Sequence, residues 1–230
     1  MFFQNFKTYL VKHNYEWKFK LIVCLPIFAS LVAIDWITKG IVVAKMSYNE
    51  QGSLIPGFLK LHYIINPGAA YGMNSDNVGL AITIATLVTL IMSLIFVFVN
   101  DRFWLIGITI LLAGSWANLL ARAWAPAVPG SGIKGGVVDF LVWDFSFLGS
   151  DGYIFNIADL WVNVAVVYFV VVAFPATIAG FIKESKENKR LEEEMINSQK
   201  SQVDSEALEP EVKNTKKKIE DKKTDKKKEE

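Results

Sequence analysis

Residues 152–172 read GYIFNIADLWVNVAVVYFVVV. Beyond Asp159 there is no ionisable side chain other than Tyr168 until Lys183. An apolar run of this kind meets the length of about 20 residues that a membrane-spanning helix needs. A carboxylate at the mouth of such a run is costly near hydrocarbon and marks a functional position by default. The fold and function of the chain therefore turn on which residues gather beside Asp159.

Three more stretches have the same character: residues 19–42, 77–100 and 103–121. With the fourth, running from near Asn156 to about Ile182, they predict an all-α integral membrane protein with four transmembrane helices. Pro175 is expected to kink the fourth, which a spanning helix tolerates. The first stretch is longer than a cleaved leader core and is followed by the charged DWITKG (residues 35–40), so it reads as a retained span.

Of 230 residues, 52% are apolar, and the formal charge of +1 hides a division. Residues 183–230 carry 14 Lys/Arg and 14 Asp/Glu, leaving 10 basic and 9 acidic side chains for the rest. That tail is too polar and too poor in aromatics to bury a core, so it is expected to be partly disordered. A helix is expected within it over residues 184–200. The expected organisation is a cytoplasmic segment over residues 1–18, a membrane domain over 19–182 and a charged cytoplasmic tail over 183–230. The balanced charge gives no reason to expect nucleic acid as a partner. The lone Cys24 lies in an apolar run, which predicts a buried, inert thiol and no internal disulfide.

Lysine and arginine set the direction of the spans. Lys7, Lys12, Lys18 and Lys20 precede the first, and Arg102 sits in the turn between the second and third. The connections over residues 43–76 and 122–155 carry few. Both termini are therefore expected in the cytoplasm and both long connections outside. FLKLHYIIN (residues 58–66) alternates in part and predicts short strands, whereas PAVPGSGIKGG (residues 126–136) predicts a loop.

This topology gathers polar groups at one depth. Asp35 and Lys39 stand i,i+4 at the end of the first span, acid before base, the favourable order. Asn66 and Gly68 open NPGAAYG before the second. Asn118 and Arg122 close the third, and Asn156 and Asp159 open the fourth. Asp139 interrupts the apolar GGVVDFLVW (residues 135–143). Asp35 and Lys39 read as a structural pair, and Asn118 and Asn156 as groups that satisfy backbone or contact substrate. Trp36, Trp124, Trp143 and Trp161 fit an interfacial belt. Asp139, set between apolar neighbours, needs a partner, and Asp159 supplies one. Two adjacent carboxylates share a proton and titrate as a unit. One then takes a proton from water while the other donates to a carbonyl oxygen, the chemistry of peptide hydrolysis by acid and base. No metal-ligand spacing or cofactor motif is present, and His13 and His62 lie far from the cluster in sequence.

DWITKG, NPGAAYGM, GSWANLLARAW, GGVVDFL and FNIADLWVNVAV, in that order on four spans, closely resemble lipoprotein signal peptidase (signal peptidase II). The resemblance implies a bacterial intramembrane aspartyl endopeptidase of the plasma membrane, with a small extracytoplasmic β-rich cradle and a site near the outer face. It implies cleavage of diacylglyceryl-modified prolipoprotein signal peptides just before the lipidated cysteine, contact with membrane lipid, inhibition by the cyclic peptide globomycin, and no cofactor or metal. Matched by motif, the catalytic pair falls on Asp139 and Asp159. Asp35, Lys39, Asn66, Gly68, Asn118, Arg122 and Asn156 would support the pair or bind substrate. The family pattern G-N-x-x-D-R reads A-N-L-L-A-R here, with Ala117 and Ala121 replacing a glycine and an acid. The alternative is a catalytically weak scaffold that binds lipidated signal peptides.

Overall fold

The computed structural model describes residues 8, 10–68, 77–146 and 152–226, with side chains described as far as residue 200. Residues 69–73 of the NPGAAYGM block lie outside the described residues. The chain divides into two units, Met1–Pro175 and Ala176–Glu230. The second is helical as far as Lys226, with an exposed i,i+4 pair between Arg190 and Glu194.

Four helices are long and apolar enough to cross a membrane: Trp17–Lys45, Val78–Phe98, Arg102–Trp124 and Ile157–Lys200. The first contains α1 (Leu25–Lys45), and the second and third are α2 (Val78–Phe98) and α3 (Arg102–Trp124). The fourth begins as α4 (Ile157–Tyr168) and resumes as α5 (Phe174–Lys226). Side-chain caps fix three starts. Asn77 accepts from the Leu80 N–H at 3.0 Å, Asp101 from the Trp104 N–H at 3.0 Å, and Asn156 opens α4 with a capping box.

Two π-helical segments interrupt the outer helices, at Lys20–Cys24 and Phe169–Ala173. Each ends two residues before a proline, Pro26 and Pro175. A proline within a helix lacks an N–H, and its ring crowds the carbonyl four residues back. Those carbonyls belong to Ile22 and Val171, each in the middle of a π-helical segment. The wider turn makes room for the ring. Pro175 is thus accommodated inside a continuing helix.

Helix α3 is central. Leu105, Ile108, Leu112, Ala113, Ala117 and Ala121 are all buried along it. It packs on α1, α2 and α4. Small residues allow this close approach. A Cβ at Gly114 would stand 2.4 Å from the Ala158 carbonyl oxygen, so α3 meets the first turn of α4 backbone to backbone.

The first long connection forms a hairpin of β1 (Gln51–Ile55) and β2 (Leu59–Asn66), turning at Gly57 with φ 74°. The second contributes β3 (Val137–Trp143), and β4 (Ile154–Phe155) precedes α4. The four strands form one antiparallel sheet in chain order. Residues 126–136 form no helix or strand. Tyr63, Ile65, Val138, Phe140 and Phe155 make the sheet's core, packed with Val42 of α1. Successive strand side chains point to opposite faces, so Asp139 points away from its neighbours Val138 and Phe140 and meets Asn156 at the start of α4. The β2–β3 register opposes Ile64 to Asp139 and Asn66 to Val137, with an irregularity between Leu61 and Ile64.

Candidate active site

Asn156 is the hub of the site. Its side-chain oxygen accepts from the Asp159 N–H at 3.1 Å. The Asp159 carboxylate returns the bond, its Oδ2 accepting from the Asn156 N–H at 3.0 Å. This reciprocal cap fixes the first turn of α4. The Asn156 oxygen is occupied by a donor, so its Nδ2 must face away, and it donates to Asp139 Oδ1 at 2.6 Å. A single fully buried asparagine therefore holds both aspartates.

The other two asparagines obey the same logic. Asn66 accepts from the Gly68 N–H at 2.9 Å and presents its Nδ2 to Asp139 Oδ2 at 2.9 Å. Asn118 accepts from the Lys39 ammonium at 2.7 Å and presents its Nδ2 to Asp159 Oδ1 at 2.8 Å. An ammonium has donors only, so Lys39 leaves the Asn118 amide a single orientation. Each carboxylate oxygen of Asp139 and Asp159 thus accepts one N–H from a group whose direction is set elsewhere.

Lys39 also pairs with Asp35 Oδ2 at 2.7 Å, and both side chains are fully buried. Asp35 Oδ1 accepts from the Ala158 N–H at 2.8 Å. The pair therefore ties α1 to the start of α4 as well as orienting Asn118. Arg122 reaches from α3 across the site, donating to the Gly135 carbonyl at 2.9 Å and the Gly68 carbonyl at 2.6 Å. Its Nε is buried and has no partner among the described residues. Both carboxylates border one cleft of about 310 Å³ with Asn66, Asn118, Asn156 and Arg122.

Asp139 is 3% exposed. Burial raises its carboxyl from the ordinary carboxylate range to about 7, with the Asp159 charge acting in the same direction and the Asn66 and Asn156 amides opposing it.

All nine residues singled out in the sequence meet around this cleft or in the hydrogen-bond network behind it. Three contributions carried no sequence signal of comparable strength. The Gly135 carbonyl and the Ala158 N–H are backbone groups. Gly136 leaves room where a Cβ would stand 2.5 Å from an Ile65 methyl and 3.1 Å from the Asn66 carbonyl oxygen. The consecutive glycines before Val137 were the available hint. Trp36 and Trp161 donate their indole N–H groups to the carbonyls of Ala117 and Leu31, both at 3.2 Å, and so tie helices together.

The family model for signal peptidase (SPase) II matches residues 27–175. This chain belongs to the signal peptidase II family. The matched region contains every residue of the site and ends before the charged tail. The peptidase is 30% identical over 156 residues to the lipoprotein signal peptidase of Staphylococcus haemolyticus, covering 67% of this chain and 92% of the relative. It is 29% identical over 153 residues to that of Streptococcus pneumoniae, covering 65% and 91%. A bacterial membrane enzyme solved by the in meso method at 2.3 Å resolution superposes with a TM-score of 0.56 at 26% identity, covering 67% of this chain and 88% of the other. A second, at 1.9 Å resolution, gives 0.51 at 28% identity, covering 65% and 91%. The peptidase is a multi-pass membrane enzyme of the aspartic type.

Proposed function

We propose that this signal peptidase removes signal peptides from prolipoproteins with Asp139 and Asp159 as its catalytic pair, cutting before a diacylglyceryl-modified cysteine. The observation that carries this reading is the convergence of the two carboxylates, from β3 and α4, on Asn156. One aspartate is ionised and takes a proton from a water whose oxygen attacks the scissile carbonyl carbon. The other is protonated and donates to the carbonyl oxygen, giving a tetrahedral diol. Collapse of the diol breaks the C–N bond, and the acquired proton passes to the leaving amine. Water is consumed and no covalent enzyme intermediate forms. Asn66, Asn118 and Asn156 hold the carboxylates in place, while Asp35 and Lys39 hold Asn118 and the first turn of α4. Arg122 and Gly68 shape the wall that the substrate backbone meets. The lysine distribution puts both termini in the cytoplasm and the sheet and the pair on the extracytoplasmic side. At that depth the acyl chains of the substrate stay in lipid while water reaches the scissile bond from outside. Globomycin is expected to occupy the cleft and block the pair.

The test is cleavage of a synthetic diacylglyceryl-modified peptide by purified protein, with products weighed by mass spectrometry. The expected product begins at the lipidated cysteine, globomycin abolishes it, and the unmodified peptide is a poor substrate. A cut at another bond would contradict the assignment.

A pH profile follows from Asp139. Its carboxyl lies raised to about 7 in the folded protein, so the pair keeps a proton up to neutrality. The kcat/KM is expected to decline above about pH 7 as that proton leaves. For stability the sign is the same. A carboxyl raised on folding opposes the fold progressively as pH rises from the ordinary value of about 4 to the raised one. The melting temperature in detergent should therefore be higher at pH 5 than at pH 8, and less so for Asp139→Asn. A kcat/KM flat to pH 9 would count against the shared proton.

A further inference from the structure

Cleavage inside a membrane raises a difficulty that the carboxylate pair does not solve. A signal peptide that spans lipid is helical, and its peptide carbonyls are committed to intrahelical bonds. Attack requires the chain to unwind around the scissile bond. Each N–H or C=O freed at bilayer depth is strongly unfavourable unless a partner is supplied. The enzyme must offer those partners beside the pair and further into the span.

Two side chains fit that need. Asn163 lies one turn beyond Asp159 on α4, about 6 Å along the axis. It is exposed, and Val162, Val164 and Val166 surround it in sequence. A polar amide at such a position is expensive and calls for a function. Its Nδ2 donates to the Asp159 carbonyl at 3.1 Å. That bond turns the acceptor oxygen outward, and the oxygen has no partner among the described residues. Ser115 of α3 is the second. Thr83, Thr86, Thr89 and Ser93 of α2 and Thr109 of α3 each return the hydroxyl to the carbonyl four residues earlier. The Ser115 hydroxyl, in the interior of α3, has no hydrogen-bond partner among the described residues. Asn163 and Ser115 border the same cleft as Asp139 and Asp159.

We propose that Asn163 is a substrate-positioning residue whose side-chain oxygen accepts a main-chain N–H from the unwound signal peptide, with the Ser115 hydroxyl as a second main-chain partner in the same cleft. This rests on the proposed function and extends it, because it states how the enzyme holds a helix open at bilayer depth. Neither residue takes part in proton transfer. They lower the cost of presenting an extended segment to the pair.

The experiment combines a variant with backbone-modified substrates. Lipidated peptides are made with single amide-to-ester replacements on the signal-peptide side of the scissile bond, each deleting one N–H. Asn163→Leu, a lipid-compatible change, should lower kcat/KM on the all-amide peptide by roughly 3- to 20-fold, as loss of one hydrogen bond at membrane depth implies. One ester position should lower wild-type kcat/KM by a similar factor and leave Asn163→Leu nearly unaffected. A merely structural role for Asn163 would not produce that coupling. Wild-type kinetics in Asn163→Leu, or equal ester penalties in both proteins, would overturn the inference. Should Asn163→Leu give no thermal unfolding transition, Ser115→Ala decides: a several-fold loss of kcat/KM at unchanged melting temperature supports the main-chain role, and unchanged kinetics overturns it. Failure of the wild-type protein to cut the all-amide lipidated peptide would remove the proposed function, and this inference with it. Cleavage without coupling removes the inference alone.

Discussion

Asp139→Asn and Asp159→Asn are each expected to reduce prolipoprotein cleavage by at least about 10²- to 10⁴-fold, the loss that follows removal of a positioned acid or base. The expected stability change is smaller and has a specific cause. Both oxygens of each carboxylate accept an N–H, from Asn66 and Asn156 at Asp139 and from Asn118 and the Asn156 backbone at Asp159. An asparagine at either position turns an NH2 group toward one of these fixed donors. One buried donor then loses its acceptor, at a cost of about 1–3 kcal/mol. The variants should fold and melt several degrees lower while turnover disappears. Cleavage assays read together with thermal unfolding in detergent separate the two effects. A variant that melts lower yet cuts at near the wild-type rate would show the carboxylate to be structural.

Lys39→Met is expected to have the largest effect on stability. It strands Asp35, fully buried and paired at 2.7 Å, without its cation. Breaking a buried ion pair from one side destabilises by about 3–5 kcal/mol. The same change removes the donor that orients Asn118, so the amide is free to turn its oxygen toward Asp159. Activity should fall even in protein that remains folded. The double variant Asp35→Leu/Lys39→Met tests the division. Replacing both partners with apolar groups should recover much of the stability, since a buried pair contributes little net over a hydrophobic substitute. It should not recover activity, because the Ala158 N–H and the Asn118 oxygen still lack their partners. A single Lys39→Met variant that melts with the wild type would refute this account of the pair.

What was legible in the sequence follows what helical spacing encodes. Asp35 and Lys39 are four residues apart on one helix, so their contact needed no tertiary information. Asp139 and Asp159 could be placed together because Asp139 lies in the connection that leads into the fourth span and Asp159 opens that span, whose direction the lysines indicate. The strand character of residues 58–66 was visible as alternation. Other features were not, because they depend on backbone atoms or on distances between elements. Arg122 binds the carbonyls of Gly68 and Gly135, and a carbonyl is present at every residue. The orientation of the Asn118 amide depends on Lys39, 79 residues away. The π-helical segments come from Pro26 and Pro175 acting on carbonyls four residues back, an effect with no periodicity to read. Asn163 sits in an apolar run where sequence alone shows a tolerated polar residue. Only the direction of its bond to the Asp159 carbonyl reveals an acceptor left open to the cleft.

In the proposed mechanism Asp139 and Asp159 act as one catalytic unit. The most direct measurement is kcat/KM on a lipidated prolipoprotein peptide for Asp139→Asn, Asp159→Asn and the double variant under one set of conditions. Groups that act together lose their function together, so removing the second after the first should cost almost nothing more. We expect the double variant to be no slower than either single one. Losses that multiply in the double variant would mean that the two aspartates contribute independently, and the shared-proton mechanism would be wrong.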